Sequence, residues 1–205
     1  MRKLIVLSFI TLDGVMQSPG GPEEDPSAEF RYGGWQAAYS PDEFVSKTML
    51  SEQMGHDFDL LLGRKTFDIF ASYWPNANPS NPFAAPLNKA TKYVATRSPL
   101  TQDWKTSIRI EGELAEGVRK IKNENGPELQ IHGSGNMIQT LLKSDLVDEL
   151  WLKIFPLTLG SGKRLFAEGA IPAAFELTKC QATPKGVIIA NYRRNGDVKT
   201  GTMGG

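Results

Sequence analysis

Short apolar runs of strand length alternate with segments of helical spacing along most of this chain, and no other feature restricts its fold so strongly. Residues 3–10 form a nearly continuous apolar run, as expected for a strand covered on both faces. Asp59 to Leu62, Lys92 to Thr96, Ser107 to Ile110, Glu128 to His132 and Glu149 to Phe155 read as further strands. Ala174 to Gln181 and Val187 to Arg193 read as a closing antiparallel pair around Pro184-Lys185-Gly186. Leu114, Val118 and Ile121 recur at helical spacing, as do Met137, Ile138, Leu141 and Leu142. The alternation predicts an α/β fold: a three-layer α/β/α domain on a mixed, mainly parallel sheet of about eight strands.

The segments between these elements carry their own signals. Residues 11–39 are a long loop rich in Gly, Pro and acidic residues. Its Phe30, Tyr32 and Trp35 are expected either to close over a cleft as a lid or to pack locally. Ser40-Pro41-Asp42-Glu43 opens a helix, with Ser40 as cap and Glu43 closing a capping box. Phe44, Met49 and Leu50 supply part of its apolar face, and Gly55 ends it. Residues 75–88, with four prolines and four asparagines, are expected to be irregular. No linker divides the chain, so residues 1–195 read as one domain and 196–205 as a mobile tail.

Charge excludes several functions. Lys plus Arg equals Asp plus Glu at 23 each, so no global field points to nucleic acid or to an acidic membrane. Any anion must be held by a local cluster. One cysteine, Cys180, and two histidines allow neither an internal disulfide nor an ordinary structural zinc site, and no metal is expected. A reducing, cytoplasmic location is the simplest expectation, with Cys180 a buried thiol of a strand. The apolar run after Met1-Arg2-Lys3 is too short for a membrane span and lacks a small-residue cleavage site.

Three strand ends bear the chemistry. Gly133-Ser134-Gly135-Asn136 joins a strand to a helix, where glycines admit a ligand to the backbone and the helix start favours phosphate. Ile138 stands where a dinucleotide fingerprint would have its third glycine. Gly63-Arg64-Lys65-Thr66 is a second such junction with two cations, and Thr96-Arg97-Ser98 lies just past a third strand. Ligands of α/β sheets gather outside the carboxyl ends of strands, so these ends suggest one polyanionic ligand spread across them. The arginines suit the 2′-phosphate of NADPH better than the ribose of NADH, which would want a carboxylate. Gly160-Ser161-Gly162-Lys163-Arg164 imitates a phosphate loop, but Leu157 and Arg164 break the pattern, and a turn at the substrate edge is expected instead.

In order and spacing these motifs resemble the dihydrofolate reductase superfamily, and more closely the reductase domain of bacterial riboflavin biosynthesis in a stand-alone form. The resemblance spans about residues 3–194 and rests on Ser8 to Met16, Leu61 to Phe67, Val94 to Ser98, Ile131 to Gly135, and Asp148-Glu149-Leu150 through Pro156, Gly160 and Gly162. It implies NADPH as cofactor. Gly63, Arg64, Lys65 and Thr66 with Thr96, Arg97 and Ser98 would hold the adenosine end and the 2′-phosphate. Gly133, Ser134, Gly135, Asn136 and Met137 would hold the pyrophosphate, and Phe9, Ile10, Val15, Met16 and Gln17 would flank the nicotinamide. A homodimer is implied too, with Leu150 to Phe155 either at its contact or wholly internal. The first helix departs from dihydrofolate reductases, because Asp42, Glu43 and Glu52 offer no evident pocket carboxylate.

The activity implied is hydride transfer to a pterin- or ribosylaminopyrimidine-like C=N or C=O bond, resembling reduction of 5-amino-6-(5-phosphoribosylamino)uracil. Asp13, leaving the first strand, is the candidate proton donor, or else an ordinary Asp-Gly turn residue. Gln17 and Trp35 are candidate substrate contacts. The alternatives are a non-catalytic nucleotide-binding protein on the same fold and a true dihydrofolate reductase.

Overall fold

A computed structural model describes residues 1–166 and 170–203 of the chain. The strands are β1 (Leu4–Thr11), β2 (Phe58–Gly63), β3 (Lys92–Ala95), β4 (Ser107–Ile110), β5 (Glu128–Ile131), β6 (Glu149–Phe155), β7 (Phe175–Ala182) and β8 (Ile188–Arg194). The helices are α1 (Glu43–Thr48), α2 (Arg64–Tyr73), α3 (Ala84–Lys89), α4 (Leu114–Asn123) and α5 (Gly135–Lys143). One eight-stranded sheet runs in the order β4-β3-β2-β5-β1-β6-β8-β7. Its β1–β6 core is parallel, and β8 joins β6 antiparallel with β7 outside it. The mixed α/β sheet is the one the alternation predicts.

Strand periodicity sorts the apolar side chains onto two faces. Leu4, Val6, Leu129, Ile131, Leu150 and Leu152 meet Val118 and Ile121 of α4 and Ile138 and Leu141 of α5 in one cluster. The opposite face carries two clusters rather than one. Leu60, Leu62 and Val94 pack with Phe67 of α2, Leu87 of α3 and Trp104. Phe155 and Ile189 pack with Trp35 and with Val45 of α1. The space between those clusters is the cleft described below.

Several local expectations change. Asp42 caps α1, not Ser40: its Oδ1 accepts from the amides of Phe44 at 3.0 Å and Val45 at 3.1 Å. Asp is as good a cap as Ser, and it stands next to the first helical residue. The buried face of α1 is Val45 and Thr48, while Phe44 is exposed, and a π-helical turn (Met49–Gln53) continues the helix. The proline-rich segment contains α3, whose Pro86 sits in the first turn, where its missing amide costs nothing. Phe30 and Trp35 are buried against Val15 and Phe155, whereas Tyr32 is exposed. Cys180 is also exposed, because β7 is an edge strand with alternating solvent-facing positions. Leu150 to Phe155 lies inside the sheet, paired on one edge with β1 and on the other with β8. Of the tail, Gly196 to Met203 is exposed wherever described, and Gly204 and Gly205 lie outside the described residues.

Candidate active site

The two glycine junctions are joined to each other. After β5, Gly133 (φ 97°) and Ser134 (φ 76°) both take left-handed conformations, and α5 begins at Gly135. That reversal brings the Ser134 hydroxyl to β2: it accepts from the Gly63 amide at 2.9 Å and shares a 2.7 Å hydrogen bond with Thr66 Oγ1. A side chain at Gly63 would collide with Ser134. Gly135, Asn136 and Met137 open α5 without a capping side chain and line a cavity of about 1080 Å³. Amides at such a helix start are donors in need of an acceptor.

The cations near this junction are not equivalent. Arg64 is engaged on every nitrogen: Nε bonds Asp68, Nη1 bonds the Pro99 carbonyl at 2.8 Å and Nη2 bonds Thr101 Oγ1 at 3.1 Å. Lys65 is held by Asp25 Oδ1 at 2.6 Å. Arg97 lines the cavity and is exposed, and no described side chain pairs with its guanidinium. Thr96 lines the cavity as well, with its hydroxyl turned to the backbone of Ser98, while Ser98 itself lies outside.

The long loop is fastened across the cavity mouth. Asp25 receives Lys65 on one oxygen and Lys163 on the other at 2.7 Å. Burial raises its pKa, but hydrogen bonds from Lys163, Lys65 and Ser27 outweigh that and hold the carboxyl well below the usual range. Gln17 lines the cavity, yet its polar atoms are occupied: Nε2 donates to the carbonyls of Asp25 and Ser27, and Oε1 accepts from the Lys163 amide at 2.9 Å. Trp35 is buried outside the cavity lining and donates its indole proton to the Gln17 carbonyl at 2.8 Å, so it braces the loop from behind.

Asp13 also stands apart from the cavity. Its carboxylate accepts from Thr11 Oγ1 at 2.5 Å and from the amides of Leu159 and Gly160, with Arg164 at 3.6 Å. The Thr11 hydrogen bond and those amides, opposed by partial burial, depress its pKa. Asp13 therefore ties the Gly160–Lys163 turn to the first strand, away from the cavity lining. Phe9 and Met16 line the cavity, whereas Ile10 and Val15 point into the cores on either side.

At the inner end stand three residues that the sequence reading passed over. Lys153 of β6 is 2 % exposed and lines the cavity, and its ammonium makes no hydrogen bond or ion pair with any described residue. Burial pushes its pKa down to about 7. His132, at the end of β5, is paired with Gln130 Oε1 at 3.0 Å, and burial, helped by the charge of Lys153, lowers its pKa to about 3. Gln53 is buried, and its Oε1 has no partner among the described residues. The one sequence signal for Lys153 was a cation inside an otherwise apolar strand; nothing local distinguished Gln53.

The comparisons with known proteins agree with this architecture. A family model described as the RibD C-terminal domain matches residues 2–189. Two Bacillus subtilis (strain 168) proteins are similar: the uncharacterized protein YyaP, 27% identical over 202 residues (95% of this chain, 96% of that one), and the uncharacterized protein YwjB, 32% identical over 173 residues (82% and 84%). The structure of a putative riboflavin biosynthesis protein from Shewanella sp. PV-4 superposes with a TM-score of 0.64 at 24% identity, covering 94% of this chain and 99% of that one. A pyrimidine reductase-like protein from Corynebacterium diphtheriae superposes at 0.60 with 13% identity, covering 96% and 93%. With the sheet order, the joined glycine junctions and the family match in agreement, the chain belongs to the RibD C-terminal domain family and has its dihydrofolate reductase-like fold.

Proposed function

We propose that this protein is a reductase that takes NADPH in the cleft and reduces a small heterocyclic C=N or C=O substrate at its inner end. The observation that carries the reading is the continuity of one cavity, which runs from the unpaired Arg97 past the open start of α5 to Phe9 and Lys153. About 1080 Å³ exceeds the roughly 300–1,000 Å³ typical of ligand pockets, which leaves room for a dinucleotide and a second molecule. The donor set also fits: helix-start amides suit a pyrophosphate, and a free guanidinium suits a 2′-phosphate.

When bound, the nicotinamide would supply the hydride. The residues of this chain would bind, orient and exclude water. Gly135, Asn136 and Met137 would anchor the diphosphate, and Phe9 with Met16 would flank the ring. The Asp25 clamp would keep the loop closed over it. Arg97→Ala is expected to weaken NADPH by about 10- to 100-fold, the loss of one charge-assisted contact, while NADH changes little. Fluorescence titration of both cofactors checks this, and equal losses would remove the assignment. Arg64→Ala is expected to act less selectively, because that guanidinium is already spent on Asp68 and the 99–101 loop.

Turnover is read as NADPH absorbance against pterins, the ribosylaminopyrimidine and simple carbonyls. Tight binding with no oxidation across the panel would favour a nucleotide-binding protein without catalysis. A folate reductase is disfavoured by the helix carboxylates: Asp42 serves as cap and accepts from Thr183 Oγ1 at 2.8 Å, and Glu52 is paired with Lys179. The proposal includes a cytoplasmic homodimer, which light scattering of the purified chain tests for its subunit number.

A further inference from the structure

An ammonium group buried without a partner is unstable unless something else answers its charge. Among the described residues two other lysines are buried, and both are satisfied. Lys92 donates to the carbonyls of Asn88 at 2.7 Å and Lys105 at 3.1 Å, and Lys122 donates to the Leu146 carbonyl at 2.8 Å and pairs with Asp148. Lys153 has no such contact among the described residues and lines the cavity instead.

No described carboxylate forms an ion pair with the Lys153 ammonium, and burial alone shifts its pKa. Its ladder neighbours are Phe9 of β1 and Ile189 of β8, both apolar. His132 comes from β5 and is held neutral. Asp42 before α1 is the helix cap, and Glu52 of the π-helical turn is bound by Lys179 and by Asn191 Nδ2 at 3.4 Å. Gln53 lines the same cavity, and its Oε1 is a buried acceptor with no donor among the described residues.

We propose that Lys153 is the proton donor of this site, and that Gln53 Oε1 positions the substrate by accepting an N–H or O–H from it. The substrate class that answers both groups is a small cyclic molecule carrying a reducible C=O or C=N acceptor together with an N–H or O–H donor. As hydride reaches the carbon, the π pair moves to the heteroatom, an N–H bond of the Lys153 ammonium breaks, and its proton joins that heteroatom. The neutral amine then recovers a proton from water. The reduced nicotinamide is the reductant, so this step rests on the function proposed above. The desolvation that pulls Lys153 toward neutrality also makes it a better acid at neutral pH than an exposed lysine.

The test has one readout that needs no substrate. Protein labelled at lysine Cε is titrated by NMR with and without NADP+, and Lys153→Met identifies the resonance by its loss. Lys153 is expected to titrate near neutrality, far below the exposed lysines. Titration together with the exposed lysines would overturn the proposal. The second readout is turnover of any panel compound that oxidises NADPH. Lys153→Met and Lys153→Arg should both lower kcat by about 10²- to 10⁴-fold and remove the alkaline limb of the pH profile, since arginine keeps the charge but holds its proton. Full activity of Lys153→Arg would overturn the acid role. Gln53→Leu should raise KM more than it lowers kcat. Failure of the intact protein to bind NADPH would sink the cofactor reading and the hydride step that rests on it, whereas an ordinary lysine titration in a protein that binds NADPH would sink the acid role alone.

Discussion

Lys92 and Lys153 are both buried in strands of one sheet, yet they answer burial in opposite ways. Desolvation lowers both, Lys92 to about 8 despite the nearby charge of Asp59, and Lys153 to about 7. Around Lys92 the protein supplies two carbonyls, the Thr106 hydroxyl at 3.4 Å and the face of Trp104, 4.4 Å from the ring centroid. Around Lys153 it supplies apolar neighbours and a cavity. A buried charge is thus not by itself a mark of function; what sets Lys153 apart is that it faces a cavity. The first lysine holds β3 to the chain before and after it, whereas the second faces the cavity.

Substitution should separate the two by sign. Lys92→Met is expected to destabilise by about 2–5 kcal/mol, because it strips several buried oxygens of their donor. Lys153→Met is expected to stabilise by about 1–3 kcal/mol, because it replaces an unanswered amine with an apolar chain of similar length. Urea unfolding at neutral pH measures both, and a loss at Lys153 as large as that at Lys92 would erase the distinction.

The pH dependence sharpens the same contrast. Unfolded Lys153 keeps its proton up to about 10.5, while the folded protein releases it near 7. Between those values the unfolded chain binds more protons, so stability rises with pH across that window, by up to about 1.4 kcal/mol per pH unit. Lys92 contributes with the same sign from about 8 upward. The Lys153 share is therefore read as the difference between wild type and Lys153→Met melting curves, which should converge as pH rises.

A smaller effect belongs to the loop clamp, where two exposed cations are satisfied by one carboxylate. Asp25→Asn is expected to cost only about 0.5–1.5 kcal/mol, since both lysine partners are solvent-screened. The lowered pKa of Asp25 means that its contribution is present above the ordinary carboxylate range and fades as pH falls through it. Faster hydrogen exchange around residues 17–30 with an unchanged core would locate the effect in the loop.

Much of the fold was legible because its signals are local. Continuous apolar runs marked the buried strands, and glycines before helical spacing marked the junctions at Gly63 and Gly133. The misreadings were places where two local answers compete. Asp42 and Ser40 are equally good caps, and only the path of the chain chose between them. Cys180 sits in a strand either way, but strand position alone does not say whether that strand is central or at the edge. The cavity was legible at its glycine junctions, where glycine, hydroxyl and cation cluster in sequence. It was illegible at its inner end, where the lining polar groups arrive singly from the end of β5, from β6 and from the turn after α1.

The sequence by itself determined the alternation of elements, the neutral overall charge that forces any anion onto local donors, and the junctions where such donors are exposed. Only tertiary structure decided which cations are free. Arg64, Lys65 and Arg97 look alike along the chain, but Asp68, Asp25 and the 99–101 loop claim the first two. It also turned Asp13 from a candidate acid into a brace and set Lys153 at the cavity. The physical reason is that charge and hydrogen-bonding capacity belong to a residue, whereas satisfaction depends on partners distant in sequence, such as Ser134 on the Gly63 amide.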